Sequence, residues 1–118
     1  MEEPLNIPGS IRVREVGPRD GIQSEKAEVS TDDKVHLIDA LSASGLAAIE
    51  AVSFVSPRAV PQMADAADVL ANIARRPGVF YSALVPNRRG AEAAADAEVD
   101  GMQVFVAATD SYNERNVG

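Results

Sequence analysis

Apolar and polar residues alternate along this chain with two different periods, one typical of strands and one typical of helices. Residues 11–16 alternate apolar with charged side chains, which predicts a strand because successive strand residues point to opposite faces. Residues 1–10 hold two prolines and one glycine and predict an irregular lead-in, so the predicted domain covers residues 11–118. Short apolar runs of strand length follow the first strand. The predicted strands cover residues 11–16, 46–52, 79–85 and 101–108.

The segment after the first strand carries the signals of a helix. Ser30 and Asp33 have the spacing of a capping box, and Gly45 stands where the helix would end. Acidic residues fill the first turn, where the helix dipole favours negative charge. Apolar residues recur at three-residue spacing and give this helix one apolar face. These apolar residues are Val35, Ile38 and Leu41.

Two further helices are predicted between the remaining strands. Pro61 can open a helix over residues 62–76, which Pro77 and Gly78 would end. Residues 88–98 are rich in alanine and predict the third helix. The apolar stripe of the second predicted helix consists of Met63, Ala66, Leu70 and Ile73.

Strands and helices therefore alternate along the chain, which predicts an α/β fold of parallel strands joined by right-handed crossovers. The carboxyl ends of parallel strands lie along one rim of the sheet. Ligands bind at that rim in open doubly wound sheets and in (β/α)8 barrels. Polar residues cluster at or just after the predicted strand ends, which indicates a site at the rim. The clustered residues are Arg19, Asp20, Glu50, Ser53, Asn87, Thr109 and Asp110.

Composition narrows the class of protein. Hydrophobic residues make up 46% of the 118 residues and charged residues 25%, a balance typical of one globular domain. The net charge of −7 disfavours attraction to phosphate backbones, so we expect no nucleic-acid partner. The absence of cysteine excludes disulfides and thiolate metal sites within this sequence. No apolar run approaches the roughly 20 residues that span a bilayer, and the start lacks targeting signals. We therefore expect a cytoplasmic protein without a membrane partner.

The stretch after the first strand is the richest in candidate chemistry. Gly17 permits a tight turn and Pro18 fixes the next backbone angle, so the two residues that follow have defined directions. Asp20 is an oxygen ligand suited to Mg²⁺ or Mn²⁺, and Arg19 offers a planar fork for a carboxylate or an oxyanion. The alternative is a surface turn in which Arg19 and Asp20 form an ion pair in water.

Glu50 lies in an apolar strand, where an unpartnered carboxylate would be costly. If its side chain points to the site, Arg19 is its expected partner. The alternative is a glutamate that faces solvent from a half-exposed strand. Glu15 raises the same question, because alternation places it on the same side as Ile11 and Val13.

These segments together resemble a known family, the 3-hydroxy-3-methylglutaryl-CoA lyases, and match its N-terminal part from about residue 11 onward. These lyases belong to a larger group of metallolyases, which is named for an Asp-Arg-Glu triad on a TIM barrel. The resemblance implies that this chain forms the N-terminal four β/α units of a (β/α)8 barrel, which is incomplete here. It is carried by "EVGPRDGIQSE", "GLAAIEAVSFVSPRAVPQMAD", "LVPNRRG" and, after the fourth strand, "ERN".

The resemblance also implies roles for individual residues. Asp20 matches the metal-binding aspartate, Arg19 the catalytic arginine that stabilises an enolate-like oxygen, and Glu50 the catalytic glutamate that holds this arginine. Substrate-binding roles fall on Arg19 and on three residues near the site, Gln23, Ser53 and Asn87. The implied reaction cleaves the acyl-CoA substrate 3-hydroxy-3-methylglutaryl-CoA to acetyl-CoA and acetoacetate with Mg²⁺ or Mn²⁺. It would serve leucine degradation and ketone-body formation.

The match is incomplete. The family adds a His-x-His pair, an asparagine and a cysteine from later strands, whereas this sequence has one histidine, His36, on a predicted outer helix. A complete barrel takes about 250 residues. We therefore expect an N-terminal portion of a lyase that is inactive alone and self-associates through unpaired strand edges. The alternatives are a related metal-dependent aldolase or lyase acting on another 3-hydroxyacyl-CoA or hydroxy acid, and a non-catalytic interaction module.

Overall fold

Parallel strands in chain order form one sheet in the computed structural model, which describes residues 4–111 and residue 114. A helix follows each of the first three strands, so the predicted β/α alternation is confirmed. The strands are β1 (Arg14–Glu15), β2 (Ala48–Ser53), β3 (Phe80–Val85) and β4 (Gly101–Val104). The helices are α1 (Thr31–Ala43), α2 (Ala66–Asn72) and α3 (Arg88–Asp96).

The two outer strands are shorter than predicted. Within the described residues, β1 covers only Arg14–Glu15 of the predicted 11–16, and β4 ends at Val104 instead of residue 108. Ile11 is 81% exposed and Val106 is likewise 81% exposed. Each outer strand pairs with one neighbour in the described part of the chain, so its ends gain little from cross-strand packing.

Helix α1 forms where its capping signals predict. The Ser30 side chain accepts a hydrogen bond from the Asp33 amide at 3.1 Å. Gly45 has a φ of +91°, the left-handed conformation that glycine adopts most easily after a helix. Ile38, in the middle of the predicted apolar face, is fully buried.

The second helix differs from its prediction at both ends. Residues Pro61–Met63 form a separate 3₁₀ turn, and α2 ends at Asn72 instead of continuing to residue 76. Beyond Ile73 the chain makes tertiary hydrogen bonds in place of helical ones, since the Ala74 amide donates to Asp39 at 2.8 Å. The predicted apolar stripe is nevertheless buried throughout: Met63, Ala66, Leu70 and Ile73.

The core lies between the sheet and its helices. Tyr81 is 1% exposed, and its hydroxyl donates to Ser42 at 2.8 Å while it accepts from the Arg76 amide at 3.0 Å. These bonds satisfy the one polar atom of a ring that is otherwise surrounded by apolar side chains. The strand residues in this core are Ile49, Ala51, Val52, Tyr81, Ala83 and Val85.

A β-bulge sets which β2 residues face away from the helices. Glu50 pairs with Ser82, and Ser53 pairs with Leu84. Between these two pairs β2 has two residues and β3 has one, so the extra residue of β2 forms the bulge. Ser82 and Leu84 are two residues apart and share a face, so Glu50 and Ser53 share it too. We call this helix-free side of the sheet the inner face.

Glu15 does not share the inner face. It pairs with Ile49, whose side chain lies in the core on the helix side. Its carboxylate accepts a hydrogen bond from the Gly17 amide at 2.9 Å. Glu15 therefore does not point toward the site with Glu50, because strand register places the two acids on opposite faces.

Lys34 on α1 is tied to the segment that precedes α2. Its ammonium donates to Asp65 at 2.6 Å and to the carbonyl of Gln62, and only 6% of its side chain is exposed. Thr31 donates to the same Asp65 carboxylate at 2.6 Å. This cluster fixes the start of α2 against α1. None of the helices in the described part of the chain has the length and the apolar composition that a bilayer crossing requires.

The Asp65 carboxyl gives the fold an acid-sensitive contact. Burial raises its pKa, but hydrogen bonds from Lys34 and Thr31, with the Lys34 charge, outweigh this and lower the pKa overall. A carboxyl whose pKa is lower in the folded state contributes stability above its unfolded pKa and loses it as pH falls through the folded one. We predict that thermal stability drops as pH falls below about 4. Thermal melts of Asp65→Asn should show a shallower pH dependence there than melts of the parent protein. An equal slope in the two proteins would refute the assignment.

Candidate active site at the carboxyl ends of the strands

The segment after β1 forms a single π-helical turn over Gly17–Gly21, here called the π-turn. The Asp20 amide donates to the Val16 carbonyl at 2.7 Å, and Pro18 is buried. A Cβ at Gly17 would lie 2.8 Å from the Glu15 carboxylate, so glycine permits this close approach. The turn therefore holds Arg19 and Asp20 in fixed positions at the carboxyl end of the sheet.

Arg19 and Glu50 form the central contact of the site. The Arg19 Nε donates to Glu50 Oε1 at 2.7 Å. Glu50 is 4% exposed, and the Arg19 side chain is 17% exposed. The predicted pairing is therefore present in the structure, and the alternative of a solvent-facing Glu50 is wrong. A buried carboxylate of this kind needs a charged partner, and the partner it finds lies 31 positions away in the chain.

Asp20 lies at the open side of the same guanidinium. Arg19 Nη1 donates to Asp20 Oδ1 at 3.2 Å, while 61% of the Asp20 side chain is exposed. The Arg19–Asp20 ion pair of the surface-turn alternative thus exists, but Arg19 is also bound to the buried Glu50. The guanidinium connects one buried and one accessible carboxylate at a single location.

Gln23 and Ser53 meet next to this pair. Ser53 is fully buried, and its hydroxyl donates to Gln23 Oε1 at 3.2 Å. The bulge in β2 is what places Ser53 on the inner face with Glu50. Four predicted site positions from the π-turn region and β2 are therefore joined in two adjacent contacts: Arg19 with Glu50, and Gln23 with Ser53.

Asn87 has a different local task. Its Oδ1 accepts from the Gly90 amide at 2.9 Å and caps the N-terminus of α3. Its predicted contact with substrate stays a prediction. Thr109 and Asp110 are exposed beyond β4, and of the "ERN" segment the structure describes Glu114, whereas Arg115 and Asn116 lie outside the described residues.

The described part of the chain offers few side chains that could be ligands of a metal ion. No group of three or more His, Asp or Glu side chains within it is placed to hold a metal. His36 is exposed on α1, as predicted for an outer helix. Asp20 offers one accessible carboxylate, the ligand type that Mg²⁺ and Mn²⁺ prefer. Among the described residues, Asp20 can therefore supply one ligand to such an ion, but these residues do not form a complete metal site.

Two inner-face residues were not predicted from the sequence. The Ser82 hydroxyl and the Gln103 side-chain carbonyl are buried and have no hydrogen-bond partner among the described residues. Ser82 pairs with Glu50, and Gln103 pairs with Leu84 on the inner face. The sequence did offer a signal for both residues, since each is a polar residue within an otherwise apolar predicted strand.

Comparison with known proteins gives a consistent result. The model of the HMGL-like family matches residues 10–118. The chain is 51% identical over 113 residues to the 3-hydroxy-3-isohexenylglutaryl-CoA/hydroxy-methylglutaryl-CoA lyase of Pseudomonas aeruginosa, covering 96% of this chain and 38% of that protein. The chain thus spans under two fifths of that relative's length. Other relatives include mitochondrial and cytoplasmic lyases.

Solved structures agree with the fold. The crystal structure of hydroxymethylglutaryl-CoA lyase from P. aeruginosa superposes with a TM-score of 0.86 at 49% identity, over 96% of this chain and 39% of that one. An HMG-CoA lyase from Acinetobacter baumannii in complex with coenzyme A and 3-methylmalate also gives 0.86, at 40% identity, over 90% of this chain and 35% of that one. The parallel β/α units therefore correspond to part of a TIM barrel.

Proposed function

The chain belongs to the HMGL-like family, and on that premise we propose that it supplies part of the active site of a carbon–carbon lyase. The proposed reaction cleaves 3-hydroxy-3-methylglutaryl-CoA to acetyl-CoA and acetoacetate. The observation that carries the proposal is the buried Arg19–Glu50 pair with Asp20 beside it, at the rim where barrel enzymes bind substrate. The P. aeruginosa and A. baumannii proteins named above support the choice of an acyl-CoA substrate.

In this proposal Arg19 stabilises the charge that develops during cleavage. The 3-hydroxyl group loses its proton and its oxygen becomes the ketone of acetoacetate, while the bond between carbons 2 and 3 breaks. The electron pair of that bond passes to the acetyl-CoA half, and negative charge collects on the thioester oxygen until carbon 2 takes up a proton, so that no net proton is released. A guanidinium has five N–H donors, of which Nε and Nη1 already contact Glu50 and Asp20. The remaining donors can meet the oxygen without any reorganisation at the moment of reaction.

Glu50 acts through Arg19. Its buried carboxylate compensates the guanidinium charge and fixes the planar fork in one orientation. Gln23 lies beside this pair and is proposed to contact the substrate, whereas the fully buried Ser53 is proposed to act on the substrate through its hydrogen bond to Gln23. Asn87 at the start of α3 is proposed to line the same rim.

We propose that Asp20 contributes one ligand to a divalent cation, Mg²⁺ or Mn²⁺. Such an ion, when bound, would polarise the 3-hydroxyl group and help it to lose its proton. Mg²⁺ demands near-octahedral coordination, which the single carboxylate of Asp20 cannot supply. The other ligands would come from outside the described residues, and the isolated 118-residue chain is therefore expected to be inactive.

Self-association of the isolated chain follows from its strand edges. β1 and β4 each pair on one side only within the described residues, and Val104 is 77% exposed. Unpaired parallel edges with apolar side chains bind further strands readily. We propose a homo-oligomer on this ground, and a cytoplasmic location, among relatives that include cytoplasmic and mitochondrial lyases.

The proposal is tested in a hybrid lyase in which residues 10–118 replace the matching segment of the P. aeruginosa lyase. We expect the folded hybrid to release acetoacetate with a kcat within about tenfold of the parent, a change of about 1.4 kcal/mol in the barrier. The isolated chain serves as the inactive comparison. A hybrid with the parent's circular dichroism spectrum but no cleavage of acyl-CoA substrates would contradict the proposal and favour the non-catalytic interaction module.

A second substrate is 3-hydroxy-3-isohexenylglutaryl-CoA, because the P. aeruginosa relative is named for both compounds. The two substrates differ only in the group on carbon 3, a methyl in one and a longer branched alkenyl chain in the other. Assays of the hybrid with both compounds distinguish the candidates.

A further inference from the structure

The inner face carries polar atoms that the proposed function does not use. Within the described part of the chain, the two buried side-chain oxygens that lack a hydrogen-bond partner, on Ser82 and Gln103, both lie on this face. Ser82 is fully buried. A buried polar atom without a partner is costly, so native proteins keep one where a ligand, an ordered water or another group completes it.

Gln103 lies at the level of the candidate site. It pairs with Leu84, which pairs with Ser53, so the three residues form one row across β2, β3 and β4. Ser53 is the last residue of β2 and contacts Gln23. Neighbouring strands lie about 4.8 Å apart, which separates Ser53 from Gln103 by about 10 Å along the row. Gln103 therefore stands on the β4 side of the rim, and Arg19 on the β1 side.

We propose that Gln103 is a specificity-determining residue that contacts the substrate on the side away from Arg19. This inference rests on the proposed function and extends it to the substrate class. A side-chain amide completes its hydrogen bonds with a polar substrate atom or an ordered water. A long apolar group laid against it would displace that partner and leave the amide unsatisfied. The site is thus built for a glutaryl-CoA with a short group on carbon 3.

Ser82, the other residue with an unpartnered oxygen, lies too deep to contact the substrate. It pairs with Glu50 on β2 and with Gly101 on β4, one layer deeper than Gln103. The Phe80 ring lies so close to Gly101 that a Cβ there would be 2.5 Å from it. The ring thereby covers the deeper part of the inner face beside Ser82, while Gln103 stays at the carboxyl ends of the strands, where a substrate arrives.

The test compares kcat/KM for the methyl and isohexenyl substrates in the hybrid lyase. We expect the hybrid to prefer the methyl substrate, and Gln103→Met, which keeps the length of the side chain and removes the amide, to shift the ratio toward the isohexenyl substrate by about tenfold or more. Met102→Leu is the control, because Met102 pairs with Ala83 on the helix side. Its ratio should equal that of the unsubstituted hybrid.

Thermal melts of the 118-residue chain complete the test. Because the Gln103 carbonyl has no partner in the described residues, Gln103→Met should leave the melting temperature unchanged or raise it. If the hybrid is active and Gln103→Met leaves its ratio of kcat/KM for the two substrates unchanged, this inference is overturned and the proposed lyase function stands. A lowered melting temperature with an unchanged ratio would likewise overturn it, by assigning Gln103 a structural partner. A hybrid inactive on both substrates would overturn the proposed function and this inference together.

Discussion

Replacing Arg19 with methionine in the hybrid lyase is expected to lower kcat by at least about 10²–10³-fold, the size seen when a fixed oxyanion donor is removed. Methionine keeps an unbranched apolar side chain in place of the arginine stem but is shorter and has no hydrogen-bond donor. The loss should fall on kcat because the proposed contact strengthens only as charge develops on the thioester oxygen. Steady-state assays with 3-hydroxy-3-methylglutaryl-CoA measure both kcat and KM.

Two further variants control this prediction. Arg19→Lys keeps the charge but lacks the planar fork that contacts Glu50 and Asp20 together, so we expect it to remain strongly impaired. Arg88→Met removes an exposed arginine that pairs with Glu92 on the surface of α3, and it should retain the activity of the hybrid. Near-normal turnover by a folded Arg19→Met protein would refute the catalytic role of Arg19.

Replacing Asp65 with asparagine is expected to lower the free energy of unfolding of the chain by about 3 kcal/mol. The substitution leaves the buried Lys34 ammonium with the Gln62 carbonyl and without its counter-charge. An unpaired buried charge costs more than the pair itself contributes, because desolvation is no longer compensated. Urea unfolding followed by circular dichroism measures the change.

The double variant Lys34→Met with Asp65→Asn separates the two effects. It removes the ammonium as well as the carboxylate, so we expect it to be more stable than Asp65→Asn alone. An exposed pair provides the matched control, since Glu92→Gln on α3 should change stability by less than about 1 kcal/mol. If Asp65→Asn has the same free energy of unfolding as the parent, Lys34 is not held by Asp65. The same conclusion follows if the double variant is no more stable than Asp65→Asn.

The features that the sequence predicts are those set by neighbouring residues. The capping of α1 by Ser30 depends on a three-residue spacing, and the structure shows it. The Arg19–Glu50 contact spans 31 positions, yet it was predictable because an acid inside an apolar strand needs a charged partner. The assignment of roles to Asp20 and Gln23 came from the family resemblance, and local patterns alone left a surface turn as an alternative.

The features that the sequence does not predict depend on tertiary register. Helix α2 ends early because the Ala74 amide bonds to Asp39, a residue 35 positions earlier. The position of Ser53 on the inner face follows from a bulge that only the pairing of β2 with β3 reveals. Lys34 was not predicted as buried, since its partner Asp65 lies on a different element. The direction of the Glu15 side chain stayed open in the sequence because alternation gives relative faces but does not identify the inner one.

The most direct test of the central claim is a crystal structure of the hybrid lyase with coenzyme A and 3-methylmalate, the two ligands present in the A. baumannii complex. We predict that 3-methylmalate occupies the rim within hydrogen-bond distance of the Arg19 guanidinium, while Arg19 Nε stays bound to a buried Glu50. A ligand bound elsewhere on the barrel, or an Arg19 side chain that has left Glu50 and points away from the ligand, would contradict it.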